Sequence, residues 1–259
     1  FVATLATDGG LTLAGPAGEL MRGGATLRYT LHGSEADSQA TPLTRELVAA
    51  GPVFTRWRLR GRLGSIGVAQ EITFYHSLPR IDIDGELDWG NGCLAGPQPE
   101  DGEGYYAGDD AKLCACLPLG RGRLLRSLPY LIAETHQRRF SATGWVAAET
   151  TAGNVAILTP GSRGWTHDSD SGLLRLVLAW SPRDWIYAGG GHCILSGRHR
   201  FHYALVTYVN RQEALNQAEL YQLPPAVFLG GHQAPCGAGA GSLLELAPAP
   251  PSKSQWLSW

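Results

Sequence analysis

Between Pro52 and Trp89 polar and apolar residues alternate with a period of two, and the polar choices are unusual. One stretch carries Arg56, Arg58, Arg60 and Arg62 at alternate positions, with Trp57, Leu59 and Leu63 between them. Another, Ile81–Trp89, carries Asp82, Asp84, Glu86 and Asp88, with Ile81, Ile83, Leu87 and Trp89 between them. A helix would scatter each set around its circumference, whereas a strand sends every second side chain to the same face. Both stretches are therefore read as strands with one buried and one strongly charged side. The segment between them, Val68–His76, places Val68, Ile72 and Phe74 inward and Glu71, Thr73 and Tyr75 outward. Together they make a three-strand meander with turns at Gly61–Gly67 and Ser77–Arg80. The two ladders then lie two strand spacings apart, about 10 Å, close enough for arginines to lean across Thr73. They are expected to offset each other's charge. Four carboxylates at every second position also suit calcium or a sugar, but compensation by the arginine row is the favoured reading.

The rest of the chain follows the same rule. Glycine and proline punctuate it at short intervals, and strand-like runs recur at Lys112–Leu119, Pro129–Thr135, Gly144–Thr150, Asn154–Thr159, Leu173–Trp180 and His199–Tyr208. Arg211–Tyr221 is the one short helix expected, with Ala214, Leu215, Ala218 and Leu220 or Tyr221 at helical spacing, ended by Pro224-Pro225. Gly90–Asp110 reads as a polar loop. A glycine-rich turn at Gly237–Gly241 and a strand at Ser242–Leu246 precede a proline-rich tail over 247–259 that closes on an apolar piece. The expected architecture is an all-β antiparallel sandwich over residues 1–246.

Composition excludes several classes. With 44% hydrophobic residues, 17% charged residues and a net charge of −2, the chain is neither a coiled coil nor a disordered tail. No basic stripe suits nucleic acid. The longest apolar runs, such as Leu176–Trp180, are too short to span a bilayer, and the start lacks a signal-peptide pattern. Neither a membrane nor nucleic acid is an expected partner, and with no Asn-x-Ser/Thr sequon the expected location is cytoplasmic. Met21 is the only methionine, so the chain is expected to be a piece of a longer polypeptide. Five cysteines spread over this length do not make a disulfide framework. Cys114 and Cys116 share one strand face and are read as small buried hydrophobes rather than metal ligands.

The standard catalytic signatures are absent: no Gly-x-Ser-x-Gly elbow, no phosphate-binding loop and no zinc-protease His-Glu-x-x-His. No catalytic residue and no metal ligand is assigned. Two clusters offer sugar chemistry. Trp165, His167, Asp168 and Asp170 form one, and Trp185 and Tyr187, followed by His192, form the other. An aromatic ring stacks on the apolar face of a pyranose while carboxylate and imidazole groups bind its hydroxyls. The same residue types also cap turns for purely local reasons.

The ordered motifs resemble a family. Gly61-Arg-Leu-Gly64, Gln70–Tyr75, Pro79–Asp84 and Leu87-Asp-Trp89 are similar to the meander in the C-terminal β-domain of glycoside hydrolase family 38 α-mannosidases. Lys112–Pro118, Pro129-Tyr130, Gly144-Trp145-Val146, Val155–Leu158, Leu174–Leu178 with Ser181-Pro182, His199–Leu205, Asn216 through Pro224-Pro225, and Ser242–Glu245 follow in the family's order. The loop Gly90–Asp110 is longer than the family's turn. The resemblance implies a large sandwich of the galactose-mutarotase-like type. It also implies a non-catalytic role, packing on an N-terminal barrel of the same polypeptide that carries the nucleophile and zinc and shaping a pocket for an α-mannoside-type carbohydrate, with oligomer contacts expected. No cofactor is expected in this chain. Two alternatives remain: a stand-alone carbohydrate-binding module, and an autonomous mutarotase-like enzyme, which requires a histidine and a carboxylate facing each other in one cleft.

Overall fold

The computed structural model describes residues 1–31, 34–37, 41, 43–93, 112–181 and 194–223. Trp185, Tyr187, His192, most of the 90–110 loop, Cys193, Cys236 and the whole tail, including the 246/247 boundary, lie outside the described residues. Strands β1 (Val2–Leu5), β2 (Leu11–Gly15) and β3 (Gly18–Gly24) form a small antiparallel sheet. The larger sheet takes in β4 (Thr26–Leu31), β5 (Ser34–Asp37), β6 (Thr44–Ala50), β7 (Phe54–Leu63), β8 (Ile66–Tyr75), β9 (Arg80–Asp88) and β10 (Leu113–Pro118). It continues with β11 (Arg123–Leu128), β12 (Leu131–Glu134), β13 (Arg139–Thr150), β14 (Gly153–Asp168), β15 (Leu173–Ala179) and β16 (Arg198–Tyr208). Its main order is β5-β4-β10-β15-β14-β16-β9-β8-β7-β6, with β13, β11 and β12 branching from β14. The fold is an all-β antiparallel sandwich, as the period-two pattern predicts.

The hinge of the sandwich is the long β13–β14 hairpin. The first half of β14 pairs with β16 through Asn154–Leu158, and the second half pairs with β15 through Trp165–Asp168. Both strands bend at the same level: β13 carries a bulge at Gly144 (φ +88°), and β14 turns at Gly161 (φ +64°). Backbone of that handedness suits glycine, which has no Cβ to clash. The bend splits the sheet into two layers. Leu59, Ile72, Ile83, Ile157, Tyr203 and Leu205 from one layer meet Leu113, Ala115, Leu117, Leu174 and Leu176 from the other, with Leu11 and Leu13 of the small sheet in the same core. Each of these side chains is at most 2% exposed.

The meander is as expected. Strands β7, β8 and β9 pair in sequence order, and Leu63 opposite Ile66 makes the first turn a two-residue Gly64-Ser65 loop, tighter than the predicted span. The run beginning at Pro129 differs. Pro129-Tyr130 is the turn of a hairpin whose first strand, β11, lacks the alternation that would have marked it.

Beneath the opposite face of the sheet a second apolar cluster gathers Leu125, Trp145, Ala156, Leu158, Ala204 and Val206. Helix α1 (Arg211–Gln222) covers it through Ala214 and Ala218, within one residue of the predicted span. Asn210 caps the helix, its side chain accepting from the Glu213 amide at 3.1 Å, while Glu213 reaches back to the Val209 amide at 3.0 Å. This reciprocal arrangement satisfies two otherwise orphaned donors. Arg211 ties the helix to β13 through a bidentate pair with Glu149 at 2.7 and 2.8 Å. Leu220, offered as an inward position, is instead 51% exposed. Among the described residues, no helix is long and apolar enough to cross a membrane.

Candidate functional site

The helix covers only part of the outer face of the sheet, and the rest belongs to the charge ladders. Register fixes their rows. Arg58 stands opposite Glu71, then Asp84, then His202; Arg60 stands opposite Ala69, then Glu86, then Arg200. Like charges on one strand are thereby kept at every second position, and opposite charges are placed across the ladder, where side chains meet.

The ladders do not neutralise each other as expected. Arg56 donates to the Thr73 hydroxyl at 2.9 Å and approaches Glu71 at 3.6 Å. Arg58 binds Glu71 at 2.6 Å and approaches Glu46 of the outer strand at 3.8 Å. The carboxylates turn the other way. Glu86 is approached by Arg200 at 3.4 Å and Arg198 at 3.5 Å, and Asp88 by Arg198 at 3.7 Å, all from β16. Asp82 accepts two bonds from Arg80 on its own strand, at 2.7 and 2.8 Å, and a third from the Tyr75 hydroxyl at 2.9 Å. The physical reason is distance: a partner one strand away is closer than one two strands away, and β16, remote in sequence, supplies it.

What remains between the ladders is a trough of about 470 Å³. Its floor takes in Ala69, whose short side chain leaves a gap in a row of long ones, with Gly85 and Phe201 also lining it. Arg58 and Arg60 form one wall, Asp84 and Glu86 the other, with Glu71, Arg200 and His202 at its margins. The Asp84 carboxyl is pushed above the usual carboxylate range, first by partial desolvation and then by the neighbouring Asp82, with His202 and Arg56 pulling it back. Beyond His202 lies Tyr221 of α1, its ring 6.0 Å from the imidazole. The Arg80 guanidinium packs over both Tyr221 and Tyr75, at 5.5 and 5.4 Å. This aromatic and cationic cluster closes the helix end. The trough thus presents donors on one side and acceptors on the other, an arrangement suited to hydrogen bonding a polyhydroxylated ligand.

The sequence clusters fall elsewhere. Trp165 lies within β14, is 1% exposed and stacks parallel to Phe140 at 6.4 Å, so its ring faces are taken up by the core. His167 is half-buried beside a dimple of about 10 Å³, and burial lowers its pKa. Asp168 accepts the Asp170 amide at 3.1 Å and the Ser171 hydroxyl at 2.6 Å, the hydrogen bonds of a turn, and the Asp170 carbonyl accepts from Arg121. A larger cleft of about 660 Å³ lies beside Phe1, but there the Trp57 face is covered by the Arg45 guanidinium at 4.8 Å. Cys114 and Cys116 are buried on one face of β10, as the small-hydrophobe reading expects. Among the described residues, no group of three or more His, Cys, Asp or Glu side chains is arranged to hold a metal ion.

Sequence reasoning picked out the ladder residues but not the trough. Ala69 was the available signal: in the register the pattern dictates, it is the short outward residue between Arg60 and Glu86.

No protein-family model matches the sequence, and no curated protein matches it. Solved structures do. A glycosyl hydrolase family 38 protein from Enterococcus faecalis matches over 86% of this chain and 31% of its own, with a TM-score of 0.66 and 12% identity. An alpha-mannosidase from Enterococcus faecalis V583 matches over 86% and 30%, with a TM-score of 0.64 and 11% identity. A looser likeness, TM-score 0.42 at 11% identity, joins it to a putative aldose 1-epimerase from Escherichia coli K12 over 79% of this chain and 94% of that one. This chain spans about a third of the length of the first two, and what it shares with them is the β-sandwich fold.

Proposed function

We propose that the chain is the non-catalytic β-sandwich domain of an α-mannosidase-like glycoside hydrolase, packing on a catalytic part of the same polypeptide and helping to shape its sugar pocket. The observation that carries this reading is the pair of family 38 structures that follow 86% of the chain while using less than a third of their own length. The order of the strand motifs, from the Gly61–Trp89 meander to His199–Leu205, agrees with it independently. The proposed role assigns no metal to this chain. Zinc, the nucleophile and the bond-breaking step are assigned to the barrel. The domain supplies a sheet that packs on that barrel and shapes the rim of its pocket.

The test is hydrolysis of an aryl α-mannoside by the intact polypeptide and by residues 1–259 alone. Turnover by the intact polypeptide, abolished by a zinc chelator and absent from the isolated chain, is the expected result. Turnover by the isolated chain, or an intact polypeptide without glycosidase activity, would overturn the reading.

A further inference from the structure

The trough over Ala69 is left without a task by an accessory role, yet its geometry is selective. Its walls have opposite sign, and Arg60 and Asp84 make no side-chain hydrogen bond or ion pair among the described residues. Three guanidiniums (Arg58, Arg60, Arg200) balance three carboxylates (Glu71, Asp84, Glu86) along the lining. A simple anion or cation therefore loses at one wall what it gains at the other. Hydroxyl groups gain at both, because each donates and accepts: their oxygens accept from a guanidinium and their hydrogens are donated to a carboxylate. The trough's volume of about 470 Å³ leaves room for one sugar ring between the walls.

We infer that the trough is a binding subsite for one neutral pyranose unit, bridged between Arg60 on one edge and Asp84 and Glu86 on the other. The Ala69 gap admits the ring, and any longer side chain at that position fills it. This goes beyond the accessory role and does not rest on it.

The experiment is calorimetric titration of the 259-residue chain with methyl α-mannopyranoside. An open trough with charged walls gives weak binding, with an expected Kd on the order of 1 mM. Ala69→Gln, which fills the gap without removing a charge, and Arg60→Met, which removes one wall's free donor, should each weaken binding at least about tenfold. Both positions point away from the core, so the thermal transition should stay in place, and either variant alone suffices if the other fails to fold. No binding up to about 50 mM, about fifty-fold above the expected Kd, overturns the proposal. So does binding that survives the folded variants, or equal competition by inorganic phosphate or glycine betaine, which would mean recognition of charge. Mannoside binding by the isolated chain together with an intact polypeptide lacking mannosidase activity would uphold the subsite and defeat the accessory role. The reverse pattern would do the opposite.

Discussion

Gly85 gives the sharpest test of the register that builds the trough. It lies on β9 opposite Phe201 of β16, and a Cβ added there would sit 2.0 Å from the ring's Cζ and 2.4 and 2.5 Å from its two Cε atoms. Carbon atoms rest about 3.5 Å apart, so the ring must move roughly 1.5 Å. It has little room to do so, because Phe201 is 6% exposed and Tyr203 stacks beside it at 6.3 Å. Overpacking costs about 1–3 kcal/mol, and outright loss of a buried phenylalanine's packing about 3–5 kcal/mol, so Gly85→Ala should destabilise by about 2–4 kcal/mol. The sign is diagnostic. Where the backbone tolerates it, Gly→Ala stabilises by about 0.4–1 kcal/mol through the unfolded chain. Gly67→Ala on the neighbouring strand is the internal control, since its Cβ would meet only Asp88, at 3.3 Å from its Cβ and 3.9 Å from its carbonyl oxygen. Urea unfolding of both variants, with unchanged slope, gives the comparison. A Gly85→Ala midpoint equal to that of wild type or of Gly67→Ala would refute the ring-over-glycine packing and the β9–β16 register with it.

Trp165→Ala should cost about 3–5 kcal/mol in the same urea assay, as removal of a core indole does, whereas a loss below about 0.5 kcal/mol would mean a surface ring. Tyr130, 101% exposed at φ +69° in the β11–β12 turn, sits where glycine is favoured. Tyr130→Gly should therefore raise stability by about 1 kcal/mol, and a lower melting temperature would show that the tyrosine ring has an unseen contact. The Glu149 carboxyl is held below the usual range chiefly by the Arg211 hydrogen bonds. Its folded pKa being depressed, its contribution is present above the unfolded glutamate value of about 4.3 and is lost as the pH falls through the folded one. Glu149→Gln should thus lower the melting temperature at pH 7, with the gap to wild type closing below about pH 4. A gap independent of pH would contradict the ion-pair account.

The meander could be read from the sequence because everything that defines it is local. Alternation fixed the faces of β7, β8 and β9, and Gly64-Ser65 and Ser77–Pro79 supplied the turns. The pairing of the charges could not be read the same way. It depends on β16, more than a hundred residues downstream, whose Arg198 and Arg200 claim the carboxylates that the β7 arginines were expected to reach. Trp165 shows the opposite difficulty. Its neighbours His167, Asp168 and Asp170 are turn formers, so the segment looks like a loop, yet β14 runs on to Asp168 and carries the indole into the core. The hairpin of β11 and β12 was obscured by Pro129-Tyr130, which looked like a strand start and is a turn. Helix α1 was legible from its spacing, but not the apolar patch it covers, because Trp145, Ala156 and Val206 come from three different strands.

The pyranose subsite inferred over Ala69 can be located residue by residue. Amide chemical-shift mapping of the chain with methyl α-mannopyranoside tests it directly. Shifts should saturate together at Arg60, Ala69, Asp84 and Glu86. Shifts confined to the Trp165–Asp170 turn, or no shifts at all, would contradict it.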